Sequence, residues 1–158
     1  TVGSSAGEEI TSLEMPSGYF KAISDTQCKA GVKNIKKLKS IIELRKQNAV
    51  KYTAFLKKNG KTFVNEELFK NHSFLKYPLL VKDRKLFEER AEKNEVETAN
   101  WFCSPLHPVD GDLSLWKLNI TQFPNAVNIA AKMVNLPADA VNYDRIETFL
   151  LNNLDLIE

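Results

Sequence analysis

Two cysteines, two histidines, six glycines and no long apolar run set the first limits on this 158-residue chain. Cys28 and Cys103 are too few for a disulfide framework, which makes a reducing cytoplasm the expected compartment. With only His72 and His107, a zinc shell would need carboxylates from elsewhere, so no metal site is expected. Cys103 and His107 are four apart, but Pro105 between them argues against a pair of ligands on one helix. A Cys-His catalytic pair is possible in principle; Cys103 as a small buried hydrophobe and His107 as a loop residue with a backbone partner is the simpler reading. No apolar stretch approaches transmembrane length, and no charged-then-apolar opening marks a secretory signal, so no membrane partner is expected. The chain has no glycine-rich phosphate loop, no Cys-x-x-Cys, no internal repeat and no low-complexity tract. It begins at Thr1 rather than Met, which implies processing or truncation. Thr1 could serve as a nucleophile, but the small, polar residues after it read as an unstructured leader.

What is present is unevenly charged. The net charge is +2, yet residues 21–61 hold twelve Lys/Arg against Asp25 and Glu43. That is a local +10, which leaves −8 for the remainder. A basic helix can be a nucleic-acid footprint, but no aromatic side chains interleave with these lysines as a stacking platform requires. A solvated helix face is therefore expected, and no nucleic-acid partner.

The same region carries the strongest periodic signal. Ile35, Leu38, Ile42, Arg45, Ala49, Tyr52 and Leu56 alternate in steps of three and four, one stripe of a helix. Ser24 with Gln27 reads as a capping box, and Gly60 suits the left-handed position that ends a helix. One long helix is expected over 24–58. Arg45 on its stripe calls for a carboxylate from another segment, because an unpaired buried charge is costly.

Beyond Gly60, Glu66 to Phe69 suggest a helical turn and 74–81 a strand, with Pro78 pointing to an edge or a bulge. Asp83 is placed to cap a short helix with Leu86, Phe87 and Ala91 inward. Residues 96–102 read as a second strand and 103–112 as a loop holding Pro105, Pro108 and Gly111. Pro124 opens a helix with Ala126, Ile129, Ala130 and Met133 on one face. Val134-Asn135-Leu136-Pro137 is a short extended segment, and Asn142 caps a last helix striped by Ile146, Phe149, Leu150 and Leu154. The fold class is α+β: a long N-terminal helix and a small sheet with helices on one face. Residues 1–17 form an irregular lead-in, and 18–158 the domain.

In combination these segments carry a resemblance. Gly18-Tyr19-Phe20-Lys21-Ala22-Ile23-Ser24, Gln27-Cys28-Lys29-Ala30-Gly31-Val32, and Arg45 with Ala49 resemble the entry run and long helix of the DegT family of pyridoxal-phosphate-dependent sugar-nucleotide aminotransferases. Val96-Glu97-Thr98, Trp101-Phe102 and Pro105-Leu106-His107 are similar to its second small-domain strand and following loop. Phe123-Pro124-Asn125-Ala126 and Leu136-Pro137 are similar to its closing helix and leucine-proline segment. The resemblance covers about residues 18–154, in order.

The resemblance implies a C-terminal small domain of a fold-type-I aminotransferase. The whole enzyme would work as a dimer, with pyridoxal phosphate, on a keto-sugar nucleotide. The Schiff-base lysine stretch of the family's large domain has no counterpart here, so no covalently held cofactor is expected, and the isolated chain should be inactive. Its partners would be the large domain or a second subunit. The resemblance places Ser24, Trp101, Phe102 and His107 at the substrate: Ser24 as the best-matched polar residue, the two aromatics as flat walls, and His107 as a donor to hydroxyls or phosphate. Phe20 stands where the family has a cofactor-reaching Asn, Ala22 and Ile23 where it has Arg and Met, and Trp101 where many members have His. These departures imply a divergent member or one that has lost the chemistry. The alternative is a non-catalytic binding or dimerisation module that uses the stripe as a seam and the basic face for an acidic partner.

Overall fold

The capping box forms as expected. In the computed structural model, which describes residues 14–15, 17–99, 101–109 and 111–158, Gln27 N–H donates to Ser24 Oγ at 3.3 Å. Ser24 N–H donates back to Gln27 Oε1 at 2.9 Å, and helix α1 (Asp25–Ile35) follows. The lead-in expected over 1–17 lies largely outside the described residues.

The single long helix is a correction: the chain breaks at Lys36 and Lys37 before α2 (Leu38–Lys58). No glycine or proline causes the break. Lys37 N–H bonds back three residues to the Asn34 carbonyl at 3.0 Å, and Ser40 Oγ donates to the Lys37 carbonyl at 2.8 Å. A hydroxyl that takes a helix carbonyl competes with the ladder. Lys33, Lys36, Lys37 and Lys39 also crowd four like charges into two turns, which repel at helical spacing. At the far end Gly60 takes φ +64°, the left-handed stop.

Strands β1 (Tyr77–Leu80) and β2 (Met133–Leu136) pair antiparallel, with Pro78 opposite Asn135. Asn135 turns its N–H and C=O the other way, to Ala99, at 2.9 and 3.0 Å. Pro78 therefore occupies a position where its missing N–H costs no ladder bond. The outer side of β1 is closed by the C-terminus, where Glu158 N–H donates to the Leu80 carbonyl at 3.1 Å and Lys82 N–H to Leu156 at 2.8 Å. The result is α+β, a small antiparallel sheet among helices.

One apolar cluster holds these parts together. Tyr52 and Leu56 of α2 meet Tyr77, Leu79 and Val81, Phe87 and Ala91 of α3 (Arg84–Lys93), and Val134 and Leu136. Ile146, Phe149 and Leu150 of α5 (Tyr143–Asn152) complete it. Asp83 and Asn142 cap α3 and α5 through the Leu86 and Arg145 amides, as read from the sequence.

One further expectation is corrected. Among the described residues of 96–102 the strand reduces to one bridge, Ala99 with Asn135, and Phe102 takes φ +66°, which a strand does not accommodate. Along the apolar face of α4 (Pro124–Lys132), Ala130 is buried and Met133, just beyond, half-buried, while Ala126 and Ile129 are exposed. Only the last turn of α4 reaches the body, where Arg84 donates to the Ala130 carbonyl at 3.3 Å.

Candidate functional site

Three polar residues of α2, Arg45, Asn48 and Tyr52, grip one segment, the run that follows β2. Asn48, buried, donates from Nδ2 to the carbonyls of Ala138 and Ala140, both at 2.9 Å. Tyr52 donates to the Pro137 carbonyl at 3.0 Å. Arg45 meets Asp139 at 3.0 Å, the carboxylate its place on the stripe required. Burial, and then the neighbouring Tyr143 and Asp139, raise the Tyr52 hydroxyl well above the usual tyrosine value of 10.0. Tyr143 is raised likewise by burial first and then by Glu147 and Asp144. Both tyrosines stay protonated and Tyr52 donates; they are scaffold.

On the opposite side of β2, Asn135 holds the loop where three of the predicted residues sit. Its buried Nδ2 donates to the Trp101 carbonyl at 3.0 Å. Ser104 then folds the loop on itself, donating to the Val109 carbonyl and accepting from Leu106 N–H at 3.1 Å. This brings the Phe102 and His107 rings to 5.6 Å. Trp101 and Phe102 are exposed, with flat faces available to a ligand, and His107 is half-buried. Cys103 Sγ lies 3.3 Å from His107 Nδ1.

Ser24 stands apart. Its hydroxyl and amide bonds go to Gln27, and among the described residues no hydrogen bond joins it to Trp101, Phe102 or His107. The loop trio is one cluster and Ser24 is a helix cap on a separate arm. Asn135, Ser104 and Asn48 were not singled out from the sequence. Their only signal was a polar residue within an apolar stretch, which does not tell a clamp from a surface position.

One open depression reaches this loop at Cys103, and others lie apart from it. One of about 500 Å³ runs between α2 and α5, edged by Lys51 and Lys58 on one side and Asp144 and Glu147 on the other. It holds none of the predicted residues. Among the described residues no group of three or more His, Cys, Asp or Glu side chains could hold a metal ion, and no helix is long and apolar enough to cross a membrane.

The DegT/DnrJ/EryC1/StrS aminotransferase family matches residues 2–147, nearly the full chain. The chain belongs to this family. No curated protein and no solved structure matches it. Aminotransferases of the DegT/DnrJ/EryC1/StrS family generally use pyridoxal phosphate. That cofactor needs a desolvated lysine amine to hold its carbonyl carbon. Among the described residues no lysine is buried; Lys46, Lys61, Lys76 and Lys132 are half-buried and the others exposed. Lys61 and Lys132 are also committed, to the Ile157 carbonyl at 2.9 Å and to Glu158 at 2.7 Å. The described residues do not fit the cofactor's covalent site, and no step is derived through it.

Proposed function

We propose that this chain is the C-terminal small domain, residues 18–158, of a pyridoxal-phosphate-dependent aminotransferase that acts on a keto-sugar nucleotide. The carrying observation is the family match over residues 2–147 in a chain none of whose described lysines is buried. The lysine and cofactor then belong to a large domain or a second subunit in a cytoplasmic dimer. Trp101, Phe102 and His107 are this domain's contribution to the sugar-nucleotide wall, because flat aromatic faces pack on sugar and base rings. Ser24 would contribute from the other end of the arm. Support for a missing neighbour comes from the run Tyr19, Phe20, Ile23, Val32, Ile35 and Leu38, all exposed and all apolar.

The test is reconstitution. With pyridoxal phosphate alone, the chain should form no adduct that borohydride fixes onto one lysine. Joined to a large domain that carries the Schiff-base lysine, it should support transfer of an amino group from glutamate or glutamine to a keto-sugar nucleotide. Trp101→Ala in that assembly should raise KM for the nucleotide sugar about tenfold, the loss of one stacked ring. Turnover by the 158 residues alone, or a cofactor adduct on a single lysine, would overturn the proposal.

A second reading draws on one observation, the exposure of Lys21, Lys29, Lys33, Lys36, Lys37 and Lys39 along the arm. It is a non-catalytic assembly module whose basic arm meets an acidic partner, and a reconstituted enzyme that is inactive but tightly associated would favour it.

A further inference from the structure

The loop that carries Trp101, Phe102 and His107 also sets a thiol against an imidazole. Cys103 Sγ is 3.3 Å from His107 Nδ1, and with the ring proton on Nε2 that nitrogen can accept the S–H proton. The pair is held from two sides: Phe102 lies against the His107 ring, and Ser104 ties Leu106 and Val109 into one turn. Cys103 also lines an open depression of about 540 Å³ with Lys82, Arg84 and Lys85. The two carboxylates there are already engaged. Asp83 accepts from Leu86 N–H at 3.0 Å, and Glu88 accepts from Arg84 at 3.0 Å. Lys82 donates to the Asp155 carbonyl at 2.7 Å, which leaves the exposed Lys85 as the ammonium at the mouth. A base and a nearby ammonium beside a partly accessible thiol are the surroundings that make a cysteine nucleophilic.

We propose that Cys103 is a nucleophilic thiol that exchanges with small disulfides bearing carboxylates, with His107 as its proton acceptor. In the step, His107 Nδ1 takes the Sγ proton and the thiolate attacks one sulfur of the incoming disulfide. A new S–S bond to Cys103 forms as the old one breaks, and the departing thiolate takes the proton from His107. One disulfide is consumed and one formed: Cys103 is oxidised and the released half is reduced to a thiol. The claim concerns the chain's own side chains and is independent of the aminotransferase reading.

The comparison site is built in, since Cys28 is exposed on α1. Reduced protein treated with limiting oxidised glutathione, and followed by intact mass and peptide mapping, should form the mixed disulfide at Cys103 about tenfold faster than at Cys28, despite the greater exposure of Cys28. His107→Gln should slow Cys103 about tenfold and leave Cys28 unchanged, so the second cysteine reports that the reagent is sound, while an unchanged melting temperature reports that the fold is. In the parent chain, oxidised glutathione should outpace uncharged hydroxyethyl disulfide at Cys103 by about twofold or more at low salt, and Lys85→Ala should remove that preference. Equal rates at the two cysteines, or a Cys103 rate indifferent to His107→Gln, would overturn the proposal.

Discussion

The two ends of the α1–α2 stripe share a spacing and live in different surroundings. Ala49, Tyr52 and Leu56 on α2 are fully buried, whereas Ile35 is 70% exposed and Leu38 48%. Between them Ile42 and Arg45 are half-buried. The same three-and-four periodicity therefore has two outcomes. Where the sheet and α5 supply a complementary surface, the stripe becomes core; where the described residues supply none, it stays in water. Periodicity states what a helix can bury, and the neighbours decide what it does bury.

Truncation should separate the two ends most widely. Leu56→Ala empties a fully buried site and should cost about 3 kcal/mol of unfolding free energy, whereas Ile35→Ala should stay within about 0.5 kcal/mol. Urea unfolding of both variants checks this, and similar losses would mean that α1 is packed in solution. Next in size is Tyr52→Phe. It strips the Pro137 carbonyl of its buried donor and should cost about 1–2 kcal/mol, read from the shift in denaturation midpoint.

Alkaline pH probes the same end of the stripe. Tyr52 and Tyr143 titrate higher folded than the unfolded value of 10.0, so the folded state holds its protons longer. The stabilisation is complete below pH 10 and is lost as pH rises from there toward the folded values. Melting temperature should fall above about pH 10, and Tyr52→Phe should flatten that fall. A melting temperature independent of pH in this range would remove the tyrosines from the core account.

Smaller effects sharpen the boundary. Asp139→Asn should cost about 0.5–1 kcal/mol, because Asp139 is nearly half-exposed and Arg45 keeps part of its solvation. Ser24→Ala should remove about 1 kcal/mol from α1 alone. Hydrogen exchange would show it as faster amide loss over 25–35 with no change over 38–58, since helix α1 carries no buried residue.

Much of this was legible before the structure. Ser24, Asp83 and Asn142 cap the helices they were expected to cap, because a cap is a bond between a side chain and an amide two or three residues away. Arg45 found its carboxylate, though the sequence could not say that Asp139 would provide it. The strand over 96–102 was inferred from apolar content, and among the described residues only Ala99 finds a strand partner there. A Cys103–His107 pair was weighed and set behind an inert thiol and a loop histidine, and Pro105 excludes the helix that would bring residues four apart together. A loop clamped by Ser104 does so instead.

By itself, then, the amino-acid order determined the family, the α+β class, the caps and the need for a partner at Arg45, all of which depend on short-range bonding or on the order of motifs. Only the tertiary structure decided which half of the stripe is core, that Asn135 and Asn48 are clamps, and that Phe102, Cys103 and His107 converge. Those outcomes depend on surfaces brought together across some ninety positions of chain, as in the bond from Asn48 to Ala138. Burial is a property of two surfaces, and a local pattern describes one of them.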